Sequence, residues 1–176
     1  MVRCVVTGQQ ADGKSVVVFD GVRESPAIPL MPPGSEFIRL WGADATPTLP
    51  SDGTPPDQPT FFPPAGGYRF LFFTLPPEST PAGPVDDPAA ALAELEATLP
   101  DMARWMEPEN PGMHTTDSVD LDIVLSGEVW LELDDGAEVH LKEGDCVVQN
   151  GTRHAWRNRS DRPVQMFAAI IGATRA

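Results

Sequence analysis

The chain is predicted to fold as an all-β protein, an antiparallel sandwich or barrel, and three observations support this. Its last third is a series of short apolar-alternating runs separated by glycine turns. Sixteen of its twenty prolines fall between Pro26 and Pro88, which leaves no room there for a long helix. Further apolar runs near the N-terminus have strand length and strand composition.

Taken in order, Val2–Val6 and Ser15–Phe19 read as two strands joined by a turn at Asp12-Gly13 and followed by Asp20-Gly21. Glu36–Trp41 and Tyr68–Thr74 are the next strand candidates, with proline-rich surface loops between them. These four are expected to extend the barrel sheets or to pair across a dimer interface. One helix is expected within residues 87–106. Asp87 caps it, Pro88 fits its first turn, and Leu92, Leu95 and Leu99 form an apolar stripe that should cover one end of the barrel. Pro100 interrupts it, and Asp101–Met106 adds a short second turn.

The chemistry is concentrated after residue 112. In His114-Thr-Thr116-Asp-Ser118-Val-Asp120, the residues His114, Thr116, Ser118, Asp120 and then Asp122 share one parity, so a strand points them to one face. Glu128–Leu133 alternates cleanly and closes at Asp134-Asp135-Gly136; Val139–Leu141 returns; Cys146–Val148 is another short strand. Asn150-Gly151 makes a tight turn, after which His154 and Trp156 share a face. His140 is expected outside the barrel, and Cys146 reads as a small buried apolar residue.

These residues resemble the cupin family. Its first motif, G-x5-H-x-H-x(3 or 4)-E-x6-G, places His114 at the first histidine, Thr116 at the second, Asp120 at the glutamate and Gly127 at the closing glycine. Its second, G-x5-P-x-G-x2-H-x3-N, runs from Gly144 through His154 to Asn158. Asn150-Gly151 stands where proline and glycine are usual, one residue closer together. The resemblance implies a jelly-roll barrel, conserved over residues 112–172, within a single domain of residues 1–176. Residues 1–80 would supply strands and proline-rich loops packed on it.

The resemblance also implies a divalent transition metal, Fe, Zn or Mn, held by His114, Asp120 and His154. Thr116 replaces one usual ligand and Asp120 is a methylene shorter than glutamate, so two imidazoles and one carboxylate would leave open positions for substrate. Thr116, Ser118, Asp122, Trp156, Tyr68, Phe70 and Phe72 are expected to line the pocket. The activity implied is that of a metal-dependent enzyme on a small carbonyl- or carboxylate-bearing molecule, a dioxygenase, decarboxylase, lyase or isomerase; the alternative is a non-catalytic binding or sensor barrel.

Twelve basic against twenty-six acidic residues give a net charge of −14, which repels phosphate backbones and anionic membranes. Nucleic acid and membrane are therefore not expected partners. Two cysteines far apart form no disulfide framework, and no signal-peptide core or apolar run of membrane-spanning length is evident, so the expected location is the cytoplasm. The family resemblance and the extra N-terminal strands point to a homodimer.

Overall fold

A computed structural model describes residues 1–176. Ten strands form three antiparallel sheets. Five of them, β3 (Glu36–Ala43), β4 (Tyr68–Leu75), β5 (Ser118–Ser126), β8 (Cys146–Asn150) and β10 (Val164–Gly172), make one sheet in the order β3-β4-β10-β5-β8. Three more, β6 (Glu128–Glu132), β7 (Glu138–Lys142) and β9 (Ala155–Arg157), make a second in the order β7-β6-β9. The core lies where their inner faces meet: Leu71, Phe73, Val124, Met166 and Ile170 from the first sheet, and Val129, Leu131 and Leu141 from the second. This is an antiparallel barrel, as the turn spacing predicts, of the jelly-roll kind that the family resemblance implies. No helix is long and apolar enough to cross a membrane.

Alternation decides which side chains enter that core. On β10, Val164, Met166, Ala168 and Ile170 are buried while the residues between them are not. Beyond a polar row of Glu36, Thr74, Gln165 and Ser126, the outward positions of the five-stranded sheet fall into three register rows. The first is Ile38, Phe72, Phe167, Ile123 and Cys146; the second is Trp41, Phe70, Ala169, Leu121 and Val148; the third is Ala43, Tyr68, Ile171, Val119 and Asn150. None of the fifteen carries a charge. Cys146 is exposed in the first row, not buried as its apolar neighbours suggested, because its strand puts Val147 and Gln149 inward instead.

The turn glycine at the end of the first motif is sterically required. Gly127 has φ +80°, and a Cβ there would lie 2.8 Å from the Pro163 carbonyl oxygen. At the end of the second, Asn158 is buried and fully bonded. Its Nδ2 donates to Leu75 O at 2.9 Å and Arg162 O at 2.8 Å, and its Oδ1 accepts from Ser160 N and Ser160 Oγ. It thus ties the loop before β10 to the end of β4.

The two N-terminal strands, β1 (Val2–Gln9) and β2 (Ser15–Arg23), pair only with each other, whereas β3 and β4 are full members of the barrel sheet. The helix α1 (Pro88–Thr98) is capped as expected, with Asp87 accepting from Ala89 N and Ala90 N at 3.0 Å. Its buried stripe differs from the leucine pattern, however: Ala91 and Leu99 are buried and Leu95 half-buried, while Leu92 is 55% exposed. The buried side of the helix is thus spaced i, i+4 and i+8, at Ala91, Leu95 and Leu99. A short 3-10 turn, Ala103–Trp105, follows.

Arg69 closes one end of the barrel. It shares the inward parity of Leu71 and Phe73 and is 2% exposed. Its guanidinium donates to the carbonyls of Ala43, Tyr68 and Thr60 and pairs with Asp44. The proline-rich segment between β3 and β4 is held in this way, and with it Phe61 and Phe62.

Candidate functional site

His114 and His154 are brought together by the backbone. The N–H of each donates to the carbonyl of the other at 2.9 Å, an isolated antiparallel bridge that clamps the two motifs. Directly opposed residues project to one side, so their imidazole centroids lie 4.2 Å apart. Each ring is oriented by its own turn: His114 Nδ1 lies 3.0 Å from Gly112 O, and His154 Nδ1 2.9 Å from Thr152 O. A carbonyl oxygen only accepts, so Nδ1 carries the proton in both rings, and Nε2 is left as a lone pair.

Both rings are neutral at physiological pH. Burial pushes the His114 pKa down, partly offset by Gly112 O and Glu107. His154 is pushed down to about 4, first by burial and then by His114 beside it. Trp156 stands edge-on to His154 with centroids 5.7 Å apart, and Phe62 lies 6.3 Å from His114. Outside the pair, Arg153 bonds both Glu107 and Asp134, and Arg157 bonds Glu132 and Pro111 O. The loop leading into His114 is thereby fastened to the barrel.

The histidines line a cavity of about 170 Å³, together with Asp120, Asp122, Trp156 and a wall of Phe37, Phe61, Phe62, Leu71, Phe73, Met102 and Met106. An apolar cavity of about 150 Å³ holds a benzene-sized molecule, so this one suits a small, largely apolar ligand. The two aspartates are the acidic residues of the cavity lining. Burial pushes Asp120 up to about 6; Asp122 is pushed up to about 8, by burial and then by the charge of Asp120. The Ser118 hydroxyl beside Asp120 acts in the other direction, but its single proton goes to Thr116 Oγ1 at 2.9 Å, so burial dominates. Asp120 Oδ1 is buried without a hydrogen-bond partner. Burial thus favours the protonated form of both, and the charge of Asp120 adds to that at Asp122.

The expected ligand set is only partly assembled. No group of three His, Cys, Asp or Glu side chains, His114, Asp120 and His154 included, is gathered closely in this structure. The Asp120 side chain is one methylene shorter than the glutamate usual at that position. The histidine pair itself suits a metal chemically: two imidazoles at about 2.1 Å from one ion would have centroids about 4.5–5.2 Å apart, roughly 0.3 to 1 Å wider than the 4.2 Å here. Thr116 and Ser118 are buried and bonded to each other rather than lining the cavity. Tyr68, Phe70 and Phe72 lie on the outer face, since the pleat turns the alternate residues Leu71 and Phe73 inward. Phe61, Phe62 and Met102 were not anticipated; they come from loops without periodicity. His140 is outside the cavity, stacked on Trp130 and bonded to Glu128.

Residues 106–170 match the family model described as Cupin domain (Cupin_2). Over 48 residues the chain is 56% identical to a protein of Diaporthe leptostromiformis named Phomopsin biosynthesis cluster protein C′, covering 27% of this chain and 25% of that one. Over 60 residues it is 35% identical to the cupin-domain-containing oxidoreductase srdB of Neurospora crassa, covering 34% and 31%. The matches thus span about a quarter to a third of these relatives. A crystal structure of a Cupin 2 conserved barrel domain protein from Salinispora arenicola CNS-205 is 16% identical, covering 87% of this chain and 91% of that one with a TM-score of 0.42. The barrel segment that carries both histidines and both aspartates is thus the part of the chain that matches a cupin domain.

Proposed function

We propose that the protein is an enzyme acting on a small, largely apolar molecule with a carbonyl or carboxylate group, and that a divalent metal is held on His114 and His154. The observation that carries this reading is the fixed tautomer of the pair: two neutral rings, each with Nδ1 committed to a carbonyl, present two Nε2 lone pairs at one apolar cavity. A bound metal would supply Lewis acidity toward a carbonyl or carboxylate oxygen. The chain's own residues do the rest. Phe61, Phe62 and Trp156 hold the apolar body and exclude water. Asp120 Oδ1, buried and unpaired, accepts a proton from the carbon next to the carbonyl, and Asp122 returns its carboxyl proton at a second position. That sequence is a proton transfer, which favours isomerase, lyase or decarboxylase chemistry. The oxidoreductase name of the Neurospora relative is the reason to include O2 in the test.

The test is deuterium exchange into small aromatic and aliphatic keto acids, using protein loaded with Zn²⁺, Mn²⁺ or Fe²⁺, with and without O2. Exchange is expected to follow a bell-shaped pH profile. It needs Asp120 ionised, so it rises near pH 6, and Asp122 protonated, so it falls near pH 8. Asp122→Asn should lower the rate by about 100-fold and remove the upper limb. Tight ligand binding without exchange or O2 consumption under any metal would assign the pocket to binding alone.

A further inference from the structure

The end of β2 and the adjoining part of β3 hold two cations that the histidine site does not use. In this chain of net charge −14, eight of the twelve lysines and arginines lie within 4 Å of a carboxylate; Arg23, Arg39, Lys142 and Arg162 do not. Lys142 and Arg162 are exposed to solvent, whereas Arg23 and Arg39 are half-buried and line one groove of about 430 Å³. Each has lost part of its hydration without gaining a counter-charge, although carboxylates outnumber cations in the chain.

The groove is built by strand parity. Phe19, Gly21 and Arg23 share one face of β2. A Cβ at Gly21 would lie 2.9 Å from Phe19 Cζ, so the glycine lets the ring lie along the strand, and the Arg23 guanidinium sits 5.0 Å from the centroid of that ring. Arg23 Nε is buried there without a hydrogen-bond partner. Two residues on, Ser25 Oγ accepts from Phe37 N at 2.9 Å, which fastens the end of β2 to β3. Phe37 and Arg39 share the next face. Arg39 commits one nitrogen, Nη2, to Gln58 O, Gln58 Oε1 and Thr60 O. Burial, and then the charge of Arg69, pushes its pKa down, with Asp44 acting the other way.

We propose that this groove is a second ligand site, for a small organic carboxylate whose anionic end is held by Arg23 and Arg39 and whose apolar body lies on Phe19, Val22, Pro26 and Phe37. A guanidinium fork matches the two oxygens of a carboxylate, and the orphaned Arg23 Nε is a donor already withdrawn from water. Net charge selects among anions. A field of −14 penalises a phosphate dianion more than a carboxylate monoanion, and Glu24, exposed on the rim and paired with neither arginine, adds to that penalty. Of the residues that line the groove, only Phe37 also lines the histidine cavity, so the two sites are separate and share one aromatic wall.

Arginine Nε–H signals in ¹H–¹⁵N spectra of the metal-free full chain test the proposal, with benzoate as the probe and benzyl alcohol and inorganic phosphate beside it. Benzoate is expected to shift the Arg23 and Arg39 signals to saturation. Benzyl alcohol should leave them in place, and inorganic phosphate should bind more weakly than benzoate. Arg23→Met removes no hydrogen bond of the folded chain, so its far-UV circular dichroism spectrum should be unchanged. Benzoate binding read at Arg39 should nonetheless weaken by at least about tenfold, the effect of losing a charge-assisted bond. Arg162→Met, at an exposed cation that does not line the groove, should leave that binding intact. Arginine signals that stay still while those of His114 and His154 move would place the carboxylate in the cavity and overturn the proposal. So would phosphate that binds as tightly as benzoate, or an Arg23→Met chain that binds benzoate as the wild type does.

Discussion

Metal-free protein given Zn²⁺ or Mn²⁺ is expected to retain one ion per chain, and His154→Ala or His114→Ala to lose it. Substituting a residue that only orients a ligand typically costs 10–100-fold in metal affinity, so removing one of two imidazoles should weaken retention by at least about 100-fold. Metal analysis after gel filtration reads the result. The fold should persist in both variants, because the bridge between the two segments is made by backbone atoms that alanine keeps. Asp120→Asn should retain its metal far better than either histidine variant, since Asp120 is not gathered with them. Equal loss in all three variants would mean that the aspartate ligates.

The largest stability effect is expected at Arg69. Replacing it with methionine keeps the buried stem but removes the donors to three carbonyls and the partner of Asp44. Each carbonyl bond contributes about 1 kcal/mol, and Asp44 can recover part of its loss from solvent, so a cost of about 3 kcal/mol is expected. Urea unfolding measures it. Arg69→Lys should recover only part, because one ammonium cannot reach the positions spanned by a planar fork. The consequence reaches the site. Thr60, whose carbonyl Arg69 holds, precedes Phe61 and Phe62 on the cavity wall, and Phe62 faces His114. Ligand affinity should therefore fall along with stability in this variant.

How much of this the sequence disclosed depended on the kind of signal. Strands with clean alternation, such as Glu128–Leu133, and turns with glycine gave the barrel, because period-2 patterning and positive φ are local properties. His114, Asp120, Asp122, His154 and Trp156 were placed on one cavity by parity and motif spacing, and they do line it. Parity also exposes the error at Tyr68, Phe70 and Phe72. Every residue of β4 from Tyr68 to Phe73 except Arg69 is apolar, so hydrophobicity alone did not say which set faced inward. The inward arginine completes the set that points in, against intuition about charged residues. The loop-borne walls Phe61, Phe62 and Met102 had no readable signal, since their positions follow from long-range contacts such as those of Arg69.

The central claim is that two neutral histidines present Nε2 to one apolar cavity. Long-range ¹H–¹⁵N correlation spectra of the three histidines test it most directly. At pH 7 in metal-free protein, His114 and His154 should each show a protonated Nδ1 and a bare Nε2, and His154 should stay neutral down to about pH 5. Adding Zn²⁺ should shift both Nε2 resonances and leave the distant His140 unmoved. An Nε2–H tautomer or an imidazolium at pH 7 in either ring, or a Zn²⁺ response at His140 alone, would contradict the account.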